Sequence, residues 1–339
     1  MSTPDRYSRQ RRFTGIGPDG QRRLQNATAL VVGCGALGTH AIDALARAGV
    51  GRLVVVDRDV VELSNLQRQS LFREADAEAG TPKAIAVAER IREVNREVHV
   101  DAHVAQCSAA WLAGLGVRPD VVLDGADNFA TRYLINDWCR NVRLPWVYAG
   151  AVAGEAAAMV VRSDGPCLRC VWPETEQPAD AATCETRGIL TAAIQAVSGF
   201  QVAEALKLMV GAPTTAGVFT CDVWRGVYQV VGIATEPAPD CPVCARGERP
   251  ALDRQSVGAV TLCGRDAVQV EPPPGRLLDL GRFATRLRDV AADVVVTPHL
   301  VRFRADGARF SVFPGGRALV FGVQDPLRAQ ALYDRWIGS

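Results

Sequence analysis

The sequence predicts an α/β fold with a mostly parallel sheet and an antiparallel extension, followed by a small C-terminal α+β domain. Apolar, β-branched runs alternate with helical patterns over the first half of the chain, which is typical of a parallel sheet with helical crossovers. From Glu155 onward the predicted strands are shorter and surround one long apolar helix over 188–210. After residue 256, strand and helix patterns resume in a shorter unit.

The parallel strands follow an amphipathic start at 6–26. They are predicted at "TALVVG", "RLVVVD", "VHVDAHV", "DVVLDG" and "PWVYAG", with helices such as "PKAIAVAERIREVN" and "NFATRYLINDWCRN" between them. The extension is predicted at "EAAAMVV", "GVFTCDV" and "VYQVVGI". These patterns assign residues 1–245 to a first domain, which leaves a polar linker at 246–256.

Residues 257–339 form the predicted C-terminal domain. Its strands are predicted at "AVTLCG", "AVQV", "HLVRFRA", "ARFSVFP" and "RALVFGV", and its helices at "GRFATRLRDV" and "DPLRAQALYDRWI". A chain of 339 residues is long enough for one large domain and a smaller one. The role of the second domain stays open.

Charge and composition exclude several classes of partner. The net charge is +1 and like charges do not cluster, which argues against nucleic acid and against a polybasic membrane patch. The apolar stretch 188–210 contains Glu204 and Lys207, so a membrane span is not expected. The first residues lack the apolar core of a secretory signal, and we expect a cytoplasmic protein with reduced thiols.

The stretch "GCGALG" lies between a predicted strand and a predicted helix. Gly33, Gly35 and Gly38 match the Rossmann-like fingerprint, in which glycines let the backbone approach phosphates at a helix N-terminus. Asp57 ends the next strand, nineteen residues after Gly38, where an acid can bind ribose hydroxyls. NAD and ATP both carry this ribose, so an NAD-dependent oxidoreductase is one alternative.

The polar loop after Asp57 favours a nucleoside triphosphate. It contains Asn65, Gln67 and Arg68, and Lys83 follows at a helix start. A dehydrogenase has little need of these cations, whereas β- and γ-phosphates must be neutralised as pyrophosphate leaves. Among 38 basic residues only two are lysine, so Lys83 suggests a compact charge selected for phosphate. A solvated surface role for Lys83 is the alternative.

A second acidic loop, "DGADNFATR", follows the strand "DVVL". It places Asp124 and Asp127 at the carboxyl edge of the predicted sheet, where ligands of such folds bind. Asp127 lies farther out on the loop and is the better candidate for a Mg²⁺ ligand. The alternative is capping of the following helix by Asp127 or Asn128.

Taken in order, "RYSRQ", "GCGALG", "DRDVVELSNLQRQSLF", "TPKA" and "DGADNFATRYLIND" resemble the ThiF/MoeB family over residues 6–245. These enzymes are adenylyltransferases of ubiquitin-like sulfur carriers. The resemblance implies binding of Mg·ATP and of the C-terminal Gly-Gly tail of a ThiS- or MoaD-type carrier, acyl-adenylate formation and pyrophosphate release. The carrier would then deliver sulfur for thiamin thiazole, molybdopterin or related biosynthesis. A cysteine desulfurase or another sulfur donor would be a further partner.

The resemblance also implies roles for individual residues. It places these residues at the nucleotide: Gly33, Gly35, Gly38, Asp57, Asp59, Asn65, Gln67, Arg68, Lys83, Asp127 and Asn128. Arg68 and Lys83 would contact the triphosphate, and Asp127 would hold Mg²⁺. Arg9 of "RYSRQ" would reach the ATP of the partner subunit, because the family works as a two-fold homodimer.

The chain departs from the family pattern in two places. Gly125 and Ala126 stand where relatives often have Cys and Thr, and Gly154 lies near a position that is often a bulky aromatic. The second change alters the predicted channel for the tail. A peptide or small-molecule carboxylate therefore stays open as the substrate. A non-catalytic scaffold that binds a ubiquitin-like partner is a separate alternative.

Two Cys-x-x-Cys pairs predict a structural zinc site with four thiolates and no open coordination position. Its ligands would be Cys167, Cys170, Cys241 and Cys244. Two unrelated pairs of thiols are the alternative.

Cys184 stands alone before the long helix, near Arg187, where its thiolate could be stabilised. The resemblance implies a covalent catalytic role for this position, as a thioester or acyl-persulfide with the carrier tail.

We expect Trp224 and Trp336 to pack in the interior.

Overall fold

The computed structural model describes residues 5–174, 184–254, 260–261, 267–272 and 277–338. The chain divides into two compact units, Met1–Arg254 and Gln255–Ser339. The strands of the first unit are β1 (Thr28–Val32), β2 (Arg52–Val56), β3 (His99–His103), β4 (Val121–Asp124), β5 (Trp146–Val152), β6 (Glu155–Val161), β7 (Val218–Asp222) and β8 (Val227–Val231). Its helices are α1 (Ser8–Arg12), α2 (Gly17–Asn26), α3 (Ala36–Ala48), α4 (Glu74–Ala79), α5 (Lys83–Val94), α6 (Ala109–Ala113), α7 (Phe129–Val142), α8 (Leu168–Val171), α9 (Cys184–Arg187), α10 (Thr191–Val210) and α11 (Pro250–Asp253).

The eight strands of the first unit form one sheet in the order β3-β2-β1-β4-β5-β6-β7-β8. The first five are parallel and the last three antiparallel, which confirms the predicted fold class. Because β1 lies between β2 and β4, the loops that follow these three strands meet at one edge of the sheet. The strand order reverses between β1 and β4, and ligands of open α/β sheets bind at such a point.

Helices cover both faces of this sheet. Residues of α2, α3, α5 and α10 form one apolar cluster, and residues of α7 and α8 belong to a second cluster on the other side. Inside the core, Gln201 of α10 donates from Nε2 to the carbonyls of Asp124 and Val147, both at 2.9 Å, and so ties the helix to β4 and β5. Among the helices described, none has the length and apolarity needed to cross a membrane.

The second unit contains an antiparallel sheet in the order β11-β12-β13-β14-β10-β9. Its elements are β9 (Val260–Thr261), β10 (Ala267–Val270), α12 (Leu280–Leu287), β11 (Ala292–Val296), β12 (Val301–Ala305), β13 (Ala308–Val312), β14 (Ala318–Phe321) and α13 (Pro326–Trp336). Phe303 and Phe310 stack at 4.6 Å between ring centroids at the centre of its core.

Two features of the structure differ from the sequence prediction. The edge strand β11 was missed, because "AADVVV" directly follows a helical pattern and its side chains are mostly exposed. Residues 250–253 of the predicted linker form α11, whose Ala251 and Leu252 pack against the core of the first unit.

Phe310→Ala tests whether the second unit unfolds separately. The fully buried ring is lost from the centre of its core, and the free energy of unfolding of that unit should fall by about 3–5 kcal/mol. Calorimetry should show one transition at a lower temperature and another unchanged. An equal shift of all transitions would contradict separate unfolding.

Candidate active site

The glycine turn between β1 and α3 lies directly against the turn after β4. Gly33 has φ +97°, and a Cβ atom there would be 2.4 Å from the carbonyl oxygen of Gly125. A Cβ on Gly38 would be 1.9 Å from the carbonyl oxygen of Gly33. A Cβ on Gly35, in contrast, would meet only the Gly125 oxygen at 3.8 Å. Close packing therefore requires glycine at positions 33 and 38. Gly35 instead leaves space in front of the helix N-terminus, where backbone amides favour an anion.

Asp57 follows β2 and fixes this turn through backbone amides. Its Oδ2 accepts from the amide of Cys34 at 2.7 Å, and its Oδ1 accepts from the amide of Asp59 at 2.7 Å. Burial raises the pKa of the Asp57 carboxyl, and the ammonium of Lys83 opposes this rise. Each oxygen retains a second lone pair. The carboxylate can therefore still accept bonds from ribose hydroxyls.

Lys83 is the first residue of α5 and is 2% exposed, so it is not a solvated surface residue. Its Nζ lies 3.7 Å from Oδ2 of Asp59, and its amide donates to the carbonyl of Asp59 at 2.9 Å. A buried ammonium is stable only near negative charge. Asp59, in the loop after β2, therefore stabilises the positive charge of Lys83 close to the glycine turn.

The polar loop between β2 and α4 is anchored on α10. Thr191, the first residue of α10, donates from Oγ1 to the carbonyl of Gln67 at 2.7 Å. Asn65 is 2% exposed, and its Oδ1 accepts from the amide of Glu62 at 3.1 Å. Arg68 donates from Nη1 to the carbonyl of Ser64 at 2.8 Å. Asn65, Gln67 and Arg68 thus lie on one hydrogen-bonded loop, whereas Lys83 lies on α5.

Asp124 and Asp127 occupy different environments. The Asp124 side chain is fully buried, accepts from the amide of Ala126 at 2.8 Å and pairs with Nε of Arg132 at 3.0 Å. Burial raises the pKa of Asp124, and Arg132 opposes the rise. Asp127 is exposed, and Nδ2 of the Asn128 side chain donates to its Oδ1 at 2.9 Å. Of the two, Asp127 is the carboxylate that can face a bound cation.

Asn128 is the N-cap of α7, because its Oδ1 accepts from the amide of Thr131 at 2.8 Å. This agrees with the capping alternative for Asn128, and its contact with the nucleotide stays a prediction. Arg132 was missed as a residue of this region, although the sequence places it in "DNFATR". It also donates to the carbonyls of Ala126 and Ala149, at 2.9 and 3.2 Å, and so fixes the turn that carries Asp127.

Arg9 lies far from the glycine turn of its own subunit. It is an exposed residue of α1, and its neighbour Gln10 donates to the carbonyl of Ala48, the last residue of α3. The thirteen residues of α3 separate that end from the glycine turn by about 20 Å. An arginine side chain does not span this distance, so Arg9 does not reach the glycine turn of its own chain, and its predicted contact with the ATP of a partner subunit stays a prediction.

The two departures from the family pattern have structural counterparts. A Cβ on Gly125 would be 2.5 Å from the Gly33 carbonyl oxygen, so glycine permits the close approach of the two turns. A Cβ on Gly154 would make an ordinary van der Waals contact, at 3.4 Å, with the Cβ of Trp224 in the β7–β8 turn. Trp224 is 83% exposed, so its predicted packing in the interior was wrong. Trp336 does pack, at 6.1 Å from the Phe303 ring centroid.

The two Cys-x-x-Cys pairs come together in the structure. All four sulfur atoms lie within 4.8 Å of one another. The Sγ distances are 3.9 Å for Cys167 to Cys170, 3.7 Å for Cys167 to Cys241 and 3.8 Å for Cys170 to Cys244. Four thiolates bound to zinc at about 2.3 Å in a tetrahedron are about 3.8 Å apart. The cluster fits this ion and leaves no ligand position free.

The remaining cysteines divide by environment. Cys34, Cys139 and Cys221 are buried in the core, and burial raises the pKa of the Cys107 thiol to about 12, which makes that sulfur unreactive. Cys184 is the first residue of α9, but its side chain lies outside the described part of the chain. Its predicted covalent role therefore stays a prediction.

Residues 7–243 match the model of the ThiF family. The chain belongs to this family. This chain is 38% identical over 335 residues to the sulfur carrier protein ThiS adenylyltransferase of Bacillus subtilis. The alignment covers 98% of this chain and 99% of that one. The chain is 41% identical over 245 residues to the SAMP-activating enzyme E1 of Haloferax volcanii, covering 72% of this chain and 89% of that one.

The fold is also found in a solved structure. The crystal structure of E. coli MccB with ATP superposes with a TM-score of 0.61 and 22% identity, covering 71% of this chain and 75% of that one. At this identity the likeness concerns the fold alone.

Gly38→Ala and Gly35→Ala should separate packing from ligand binding. In the first variant the new methyl group meets the Gly33 carbonyl, and the free energy of unfolding should fall by about 1–3 kcal/mol. The second should unfold like the native chain but bind ATP at least about tenfold more weakly, because the methyl group occupies the anion space. Thermal unfolding and titration calorimetry measure both effects. Native ATP affinity in Gly35→Ala would place the phosphates elsewhere.

Proposed function

We propose that this chain adenylates the C-terminal Gly-Gly carboxylate of a ubiquitin-like sulfur carrier of the ThiS type, using Mg·ATP and releasing pyrophosphate. The observation that carries the proposal is the buried ammonium of Lys83 beside a glycine turn with open space at its helix N-terminus. A relative named ThiS adenylyltransferase aligns over both units of the chain, which favours ThiS over other carriers.

The chemistry requires charge neutralisation at the phosphates. A carboxylate is a poor electrophile, and conversion into a mixed anhydride with AMP supplies a leaving group for later attack by sulfur. Lys83, Arg68 and the amides of the glycine turn would stabilise the negative charge as pyrophosphate departs. Asp57 would orient the ribose, and Asp127 would hold the magnesium ion that bridges the phosphates.

The wider assembly belongs to the same proposal. Arg9 would complete the ATP site of the second subunit in a homodimer, because its own glycine turn is out of reach. Zinc in the four-cysteine site would be structural. Sulfur would come from a cysteine desulfurase or another donor, and the reaction would take place in the cytoplasm.

Lys83→Met should reduce carrier-dependent ATP–pyrophosphate exchange by at least about a hundredfold, because a charge that acts on the leaving group is lost. The matched control is Lys207→Met, since Lys207 is the chain's other lysine and lies at the far end of α10. ThiS- and MoaD-type carriers with Gly-Gly ends are compared with carriers that lack the last glycine. Exchange with a peptide or small carboxylate alone would assign another substrate, and binding of NAD without ATP would reject the proposal.

Mixing two inactive variants tests the shared site. If Arg9 acts on the partner's ATP, an Arg9→Ala subunit paired with an Asp127→Ala subunit contains one site with both defects and one with neither. Exchange should then return to about half of the native rate per mixed dimer. Subunits with different affinity tags allow the mixed dimer to be isolated. If the mixture stays inactive while both variants still dimerise, Arg9 does not act across the interface.

A further inference from the structure

Four polar residues on one face of α7 connect this helix to the four-cysteine cluster and its flanking segments. They involve Tyr133, Asn136, Asp137 and Arg140, which are spaced i, i+3, i+4 and i+7 and therefore share a face. The Tyr133 hydroxyl donates to the Trp172 carbonyl at 3.1 Å, and Asn136 Oδ1 accepts from the Leu168 amide at 2.9 Å. This face thus contacts both ends of α8.

Asp137 continues the same face and is completely buried. Its carboxylate accepts from Nε and Nη2 of Arg169, at 3.2 and 3.3 Å, and from the amide of Ala251 at 2.8 Å. Arg169 lies between Leu168 and Cys170, and Ala251 follows the second cysteine pair. Both chain segments that contribute cysteines are therefore fixed on one helix.

Arg140 is the member of this face that touches a ligand sulfur. Its Nη1 donates to the carbonyls of Arg162, Ser163 and Gly165, at 3.0, 2.7 and 3.0 Å. Its Nη2 donates to Sγ of Cys244 at 3.1 Å. Three carbonyls hold the guanidinium in place, so its position against the sulfur does not depend on the sulfur alone.

The charge of the cluster explains why an arginine beside it is favourable. Four thiolates around a divalent zinc ion carry a net charge of −2, and this charge lies in a largely buried place. A fixed arginine offsets part of it and donates an N–H···S hydrogen bond that stabilises the thiolate. Groups that orient metal ligands in this way typically change metal affinity by about 10- to 100-fold.

We propose that Arg140 is a positioning residue of the four-cysteine site, holding the Cys244 sulfur in place as a metal ligand. The proposal rests on zinc occupancy of the cluster, which belongs to the proposed function, but it is independent of adenylation. It assigns Arg140 a role in metal affinity that is distinct from its packing of the 162–165 turn.

The experiment compares the full-length protein with Arg140→Met and with the control Arg162→Met. Arg162 lies in the same turn, and its side chain pairs with exposed Asp164 instead of a cysteine. Zinc dissociation constants are measured by competition with a chelating dye, and Co²⁺ replaces zinc to record the thiolate-to-metal charge-transfer band. Arg140→Met should raise the dissociation constant at least about tenfold and move the band to lower energy, because the sulfur loses its hydrogen bond. Arg162→Met should change neither.

The outcomes separate the possible failures. An unchanged dissociation constant and cobalt band in Arg140→Met would overturn the proposal, even if the variant unfolded at a lower temperature. If Arg140→Met does not fold, Arg140→Lys takes its place, because one ammonium cannot reach three carbonyls and a sulfur together. Native metal affinity and a native band in that variant would also overturn it. A native protein that binds no zinc would reject the metal site itself, whatever the result of the exchange assay.

Discussion

The close approach of two backbone turns determines the geometry of the candidate site. Gly33 and Gly125 lie so near to each other that a side chain on either would meet the carbonyl oxygen of the other. This contact joins the helix N-terminus after β1 to the acidic loop after β4. The N-terminus of α3 and Asp127 therefore follow neighbouring strands of one sheet.

Buried charges stabilise the arrangement around this contact. Lys83 lies near Asp57 and Asp59, and Arg132 pairs with Asp124 between the Phe129 and Tyr148 rings, at 5.1 and 5.3 Å from their centroids. Breaking such a pair leaves an uncompensated charge in the interior and is costly. The two cations differ in their partners: Arg132 donates to Asp124 and to two backbone carbonyls, whereas Lys83 lies near two carboxylates after β2.

The sequence predicted the sheet and the convergence of its loops, because strand periodicity and glycine spacing are local signals. It also predicted the four-cysteine cluster, because Cys-x-x-Cys spacing encodes a local geometry. It did not reveal Arg132, whose partner Asp124 becomes apparent only when β4 and α7 are packed together. Strand β11 and the exposure of Trp224 were missed for a related reason. Whether a residue is buried depends on neighbours from other parts of the chain, which the local sequence does not show.

The positions of the two lysines have a chemical consequence for an enzyme that makes an acyl adenylate. Such an anhydride is an electrophile that an unprotonated primary amine can also attack. Lys83 is buried beside carboxylates, and Lys207 pairs with Glu204 at 2.6 Å, sixteen residues and about 24 Å along α10 from Thr191. Arginine, which is not acylated at neutral pH, provides the other positive side chains. An activated carrier would therefore meet at most two lysine side chains on this chain.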